Sequence, residues 1–403
     1  MIITIRQLTF IITMSLLASM PILAKENSQY LLSEKNWESL SEINQLLDSG
    51  QANAAITKLI TLLPTVQNKA YDTAVTQQTL GHAYSTINDY PKAIEVFRRA
   101  LDTNALPDNV NHDLNFNLAQ LLILTKSYQE GLSYFNRWVK SESNPSLDAY
   151  ILAGTAHYES DQFKSTIPYA KNIITLKPKY DETWHLILLN CYLKSNQYQN
   201  AAVLLEKMLH IQPENKIYWQ QLLATWQHAN NDQKTLATME LMFTKDLFSP
   251  EETKQLINMY LYMQMPHKAA KLLQAQLEAS KLPRNAKNME LLGDCWLQAK
   301  EKRKSLDSLN WAAKQSGDSN LFYRVGQIYF DLENYPQAIK NLQTAITKGK
   351  LTQLDYAQLL LGIASFHEKN YPQSMSALQQ ALHNKSTKVQ AEWWLQRIKD
   401  LKI

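Results

Sequence analysis

The sequence predicts an all-α fold, a solenoid of about ten stacked helical hairpins closed by one further helix. Three observations predict it. A signature of glycine and aromatic residues recurs at intervals of about 35 residues, the length of a helix–turn–helix unit. Glycine and proline are sparse, 9 and 13 in 403 residues, which disfavours a β fold full of tight turns. The chain is also too long for one compact core and suits an extended array.

Residues 1–24 stand apart. Arg6 is their only charge, an apolar run extends from Leu8 to Ala24, and Lys25-Glu26 opens ordinary polar sequence. A positive start, a short apolar stretch and a small residue before a polar boundary describe a secretory signal peptide, cleaved here after Ala24. The alternative is an uncleaved anchor, because the run is almost long enough to span a bilayer. No later stretch is apolar enough to cross a membrane. The formal charge of +4 drops to +3 without Arg6, and no basic stripe gathers on one face, so nucleic acid is not an expected partner.

Residues 25–70 read as a degenerate opening repeat around Trp37, Ala55 and Leu59. The array proper spans 71–385. Its clearest unit is Leu80-Gly81-x-x-Tyr84 followed by Tyr90-Pro91-x-Ala93, Phe97 and Ala100. The pattern returns as Val325-Gly326-x-x-Tyr329, Tyr335-Pro336-x-Ala338, Leu342 and Ala345, and again as Leu361-Gly362, Tyr371-Pro372, Leu378 and Ala381. Weaker copies hold Phe135 with Trp138, Gly154 with Phe163, Tyr192 with Ala201, Trp219 with Trp226, Tyr260 with Ala269, and Gly293 with Trp296. Residues 386–403 then form a closing helix, with Trp393, Trp394, Leu395 and Ile398 on its apolar side. An array needs such a cap over its last open face.

These spacings resemble the tetratricopeptide repeat. In that repeat a small residue at the eighth position lets the paired helix approach, and an aromatic at the eleventh fills the space between units. The proline of Tyr-Pro fits the first turn of the second helix, where its missing N–H costs nothing. Polar residues before it, Asn88-Asp89 and Asn334, are expected caps. Every glycine falls at a close-contact position or a turn, leaving none for a phosphate-binding loop.

No nucleophile elbow or His-Glu-x-x-His helix is present, since Lys, Asn and Tyr follow His367-Glu368. No catalytic residue, metal site, cofactor or small-molecule substrate is expected. His82, His157 and His367 read as scattered polar positions on first helices. Cys191 and Cys295 take the same position three repeats apart, too far for a disulfide if units advance by about 10 Å each, and are expected as buried free thiols. The run Lys300-Glu301-Lys302-Arg303-Lys304 reads as a solvated turn.

The resemblance also implies where a partner would lie. First helices line a concave groove, presenting their second, fifth, ninth, twelfth and thirteenth positions. That rule selects Tyr323, Gln327, Phe330 and Asp331, then Tyr356, Leu359, Ile363, Phe366 and His367, and further in Lys254, Asn258, Leu261 and Tyr262. In the N-terminal half it selects Phe116, Gln120, Ile123 and Tyr158. The competing expectation is that Phe330 and Phe366 pack against the next unit. Lys254 and Asn258 match two positions of the basic clamp that some of these repeats use on a C-terminal carboxylate, but Leu291 stands where an Asn is wanted, so the clamp is incomplete.

The stretch from His267 to Ile346 is more specific. Lys268-Ala269-Ala270-Lys271-Leu272-Leu273, then Leu291-Leu292-Gly293-Asp294-x-Trp296-x-x-Ala299-Lys300, then Leu321-x-Tyr323-Arg324, resembles the tetratricopeptide-repeat protein associated with the TonB–ExbB–ExbD system of Gram-negative bacteria. The resemblance implies a periplasmic protein-binding scaffold, without catalysis, that assists TonB-dependent uptake of iron chelates, with TonB-, ExbB- or ExbD-like subunits as partners. The membrane would be reached only through partners or an uncleaved N-terminal segment. The alternative is an envelope-assembly factor that handles outer-membrane proteins, lipoproteins or pili.

Overall fold

The computed structural model describes residues 30–401, so the expected signal peptide, 1–24, lies outside the described residues. These residues form twenty-one helices and no strand. They pair as hairpins: α1 (Glu34–Asp48) with α2 (Ala52–Val66), α3 (Ala70–Thr86) with α4 (Tyr90–Asp102), α5 (Asp108–Leu124) with α6 (Tyr128–Val139), α7 (Leu147–Glu159) with α8 (Phe163–Leu176), and α9 (Glu182–Lys194) with α10 (Tyr198–Ile211). The series continues with α11 (Lys216–His228) and α12 (Asp232–Thr244), α13 (Pro250–Tyr262) and α14 (Pro266–Glu278), and α15 (Ala286–Gln298) and α16 (Lys302–Ser316). It ends with α17 (Ser319–Asp331) and α18 (Tyr335–Lys348), α19 (Leu354–His367) and α20 (Tyr371–Ala381), and the unpaired α21 (Lys385–Asp400). Ten hairpins and one closing helix are the architecture expected from the repeat spacing.

The chain divides into two compact units, one ending at Leu204 and one beginning at Leu205. Within each, a hairpin packs on the next and the core runs through the stack. In unit one, Ala83, Phe97, Ala100 and Leu118 belong to one continuous buried cluster. In unit two, Ile257, Leu273, Trp296, Leu309 and Val325 do the same.

Three local devices build each hairpin. The first is the turn. One residue in the left-handed region sits inside every hairpin turn: Gly50, Asn88, Lys126, Asp161, Asn196, Asn230, Gln264, Lys300, Glu333 and Lys369. Each ends the first helix by directing its chain back, and nine of the ten bear a side chain there, at a local cost of about 1–2 kcal/mol apiece. The second is the cap. Asp89, Asn334 and Asn370 accept hydrogen bonds from the backbone of Lys92, Gln337 and Gln373, with Pro91, Pro336 and Pro372 in the first turn. Asn88, expected to share the capping, is instead the left-handed turn residue.

The third device is close approach. A Cβ added at Gly293 would stand 2.5 Å from Leu309 Cγ, and at Gly326 2.8 Å from Leu342 Cγ. Leu309 and Leu342 are fully buried and cannot swing away. In these two hairpins the facing leucine therefore leaves room only for glycine at the eighth position. At Gly154 the corresponding residue is Ala170 and the approach relaxes to 3.1 Å, from Trp184.

The cysteines are buried free thiols, Cys191 in unit one and Cys295 in unit two. Burial pushes them up to about 11 and about 12, the charge of Asp294 adding to the effect at Cys295. The basic run falls at the α15–α16 turn, with Lys300 left-handed. Lys302 pairs with Asp331 at 2.8 Å, and Lys304 lies over the Trp296 ring at 4.6 Å. No described helix is long and apolar enough to cross a membrane.

Candidate partner-binding face

Unit two separates the expected groove residues into three groups. Tyr262 and Tyr356 are exposed, 66% and 41%, and Asn258, Asp331 and His367 also face solvent. Lys254, Gln327, Phe330, Ile363 and Phe366 are half-buried. Tyr323 and Leu359 are buried, 5% and 2%, and do not belong to an open groove.

The correction at Tyr323 has a packing cause. The fifth position leans toward the following first helix, and α19 meets it with Ala357 and Ala364, two small residues. The ring is buried in one cluster with them. Its hydroxyl donates to Gln353 Oε1 at 3.0 Å and accepts from Gln327 Nε2 at 2.8 Å, so the buried oxygen is satisfied. Burial, then the nearby Tyr356, raise its pKa.

Leu359 is covered because α21 lies against α19. Leu359, Leu378, Ala381, Ala391 and Ile398 form one buried cluster, with Ile363, Phe366, Trp394 and Leu395 around it. The closing helix therefore occupies the place where α19 would present a groove. Phe330 and Phe366 pack within a string of rings at the carboxyl ends of α17 and α19. Phe330 meets Tyr335 edge-on at 5.8 Å, Tyr335 stacks on His367 at 4.4 Å and 7°, and Phe366 contacts Trp394 at 5.0 Å. The string joins the last two hairpins to the cap.

What unit two leaves accessible is a polar face with exposed tyrosines. Arg324 of α17 reaches back to α15, pairing with Glu290 at 3.0 Å and with Asp294. Tyr262 donates to Asp232 at 3.0 Å, and Asp331 holds Lys302. Each contact ties one hairpin to its neighbour while leaving polar atoms partly in water. Glu290 and Asp294 sit at the fifth and ninth positions of α15, so the position rule would have found them if applied around Gly293. Arg324 carries no signal in the spacing, because its position is not one the rule selects.

In unit one the groove positions are mostly occupied by the protein itself. Phe116 lies on Trp138 at 4.4 Å, and Ile123 is buried beneath Gly131. Tyr158 accepts from Asn190 of the next first helix at 2.8 Å. His82 is largely buried against Phe97, and burial lowers its pKa to about 4. His157 bonds Gln162 at 2.9 Å and stacks on Tyr169. A cleft of about 500 Å³ opens beside it, lined by Gln129, Asn136 and Arg137 of α6 and by Lys140 just after it. Among the described residues no three His, Cys, Asp or Glu side chains are grouped to hold a metal ion.

Residues 79–147 and 323–388 match the family model of the tetratricopeptide repeat. No curated protein matches the sequence. Several solved structures are similar. The MamA protein is 16% identical, with 44% of this chain and 96% of that chain covered and a TM-score of 0.35. YrrB, described as a TPR protein with an unusual peptide-binding site, is 14% identical, with 48% and 97% covered and a TM-score of 0.37. A tetratricopeptide repeat protein from Parabacteroides merdae is 12% identical, with 70% and 94% covered and a TM-score of 0.35.

Proposed function

We propose that the chain is a periplasmic scaffold of tetratricopeptide-type repeats that binds other proteins, as an accessory component of a TonB-dependent iron-chelate uptake system. The observation that carries the binding role is that the first helices of unit two leave Tyr262 and Tyr356 exposed, while Arg324 ties Glu290 and Asp294 of another first helix into a partly solvated polar cluster. Exposed tyrosines among polar side chains are the composition of a protein-recognition surface, where a rigid ring supplies contact area and neighbouring polar groups set orientation.

Two sequence features support the cellular role. The Arg6-led apolar segment ending at Ala24 is an export signal by its pattern. The segments between His267 and Ile346 resemble the TonB-associated repeat protein. Partners in this reading are TonB-, ExbB- or ExbD-like subunits.

The test is a cross-linked pull-down of the tagged chain from the envelope of iron-starved cells, read by mass spectrometry. Tyr262→Ala and Tyr356→Ala are the informative variants, because both rings are exposed and their loss leaves the core intact. Tyr323→Ala would instead open the α17–α19 seam. Recovery of TonB, ExbB or ExbD-like subunits, reduced in the double variant, supports the proposal. Recovery of envelope-assembly machinery alone overturns it in favour of an assembly factor.

A further inference from the structure

Of nine tryptophans, two are more than half exposed, Trp37 at 52% and Trp393 at 59%. They lie on the first and last helices, α1 and α21. Each has exposed aliphatic company. Leu31 (59%) and Ile60 (51%) belong to the first hairpin region, and Val389 (74%) and Leu401 (41%) belong to the closing helix and its end. Terminal repeats of a soluble array ordinarily turn a polar face outward. An exposed tryptophan at each end departs from that rule.

The charges around the two rings are opposite. Helix α1 carries four acids, Glu34, Glu38, Glu42 and Asp48, against one base, Lys35. Glu34, Glu38 and Glu42 follow at steps of four, so they form one ridge beside Trp37. Only Glu42 has a described cationic partner, Lys58. Helix α21 carries four bases, Lys385, Lys388, Arg397 and Lys399, against two acids, Glu392 and Asp400. Lys385, Val389, Trp393, Arg397 and Leu401 also follow at steps of four, an exposed ridge of two cations and three apolar residues. Lys385 and Arg397 have no carboxylate partner among the described residues; Lys388 pairs with Glu392 at 3.8 Å.

We infer that the chain self-associates head to tail, the acidic ridge and Trp37 of one copy docking on the basic ridge and Trp393 of another. Docking would bury the half of each tryptophan that is still exposed, and the unpaired carboxylates of α1 would meet the unpaired cations of α21. The surfaces are unlike each other, so the contact is heterologous: it leaves one free end of each kind and continues into a ring or an open chain of copies. This inference stands apart from the iron-uptake reading and depends only on the two ends of the array.

Sedimentation velocity of the full chain, and of the chain beginning at residue 25, reads the association directly. The wild type is expected to show dimers and larger species that grow with concentration and weaken in high salt. The variant pair Trp37→Glu with Glu38→Lys disables one end, and Trp393→Glu with Arg397→Glu disables the other. Each is expected to raise the apparent dissociation constant at least tenfold while keeping the wild-type helical circular dichroism. Mixed together, the two variants are expected to form a one-to-one dimer and nothing larger, because each retains the end the other lacks. A wild type that stays monomeric overturns the inference. So does a mixture that fails to dimerise while one variant alone still does, which would show a symmetric contact. Association that appears only when residues 1–24 are removed also overturns it, since the contact would then depend on that segment rather than on the two ridges alone.

Discussion

Glycine in a helix interior is worth about 1 kcal/mol less than alanine, so its presence there must be recovered through packing. Gly293 and Gly326 recover it by letting Leu309 and Leu342 sit where a methyl group would be. Gly293→Ala and Gly326→Ala are expected to destabilise by about 1–3 kcal/mol through overpacking, despite the gain in propensity. Gly154→Ala, facing looser contacts of 3.1 Å and beyond, is expected to be near neutral. Thermal melts of the three variants check this, and equal shifts for all three would refute the close-approach account. His82 makes a second case. Its folded pKa, about 4, lies below the ordinary value of about 6.5, so the unfolded chain takes up the proton first. The stability it permits is present above about 6.5 and is lost as pH falls from there toward 4. Moving from pH about 7.5 to about 5 should therefore lower the melting temperature of the wild type more than that of His82→Leu. The glycines were legible in the sequence because their neighbours are sixteen residues away in the same hairpin, a fixed distance in every copy. The burial of His82 was not, since it depends on the Phe97 ring and on the helices around it.

At the scale of single elements, α21 determines what α19 can do. The sequence marks both helices, and their apolar stripes follow the helical period. It does not mark that the closing helix covers Leu359, Ile363 and Phe366, which the repeat rule assigns to an open groove. The rule describes a helix with another repeat after it, and α19 has a lone helix instead. Tyr323 shows the same limit in another form: the spacing gives its place on α17, but its burial depends on the small Ala357 and Ala364 of the neighbouring helix, with which it shares a buried cluster. A carboxylate placed in the seam is the direct test. Ile398 is 3% exposed within the α19–α21 cluster. Ile398→Asp buries a charge without a partner, a cost of several kcal/mol that undocking the helix would avoid. The expected result is a released cap: faster amide exchange in residues 354–381 and red-shifted tryptophan emission as Trp394 meets water. Unchanged exchange in α19 would mean that α21 contributes little to closing the stack.

Within each unit a hairpin packs on the next, and such a stack has no single seat of stability. Its free energy is the sum of weak units and the interfaces between them, and a defect weakens what adjoins it before it weakens the rest. This is also why the period could be read from so little: each copy must satisfy the same local requirements at its turn, its cap and its close contact, and ten copies repeat the signal. What varies from copy to copy, the side chains left exposed after stacking, is set by each neighbour's volume and charge and carries no period. The same additivity gives a prediction for the whole chain. Gly81→Ala strains α3 against Phe97 in unit one, and Gly326→Ala strains α17 against Leu342 in unit two. Native-state hydrogen exchange should then show lost protection in the affected hairpin and its immediate neighbours, with the other unit close to wild type. The two maps should be nearly complementary. If each variant instead lowered protection evenly from α1 to α21, the chain would unfold as one cooperative body, and the nearest-neighbour account of its stability would fail.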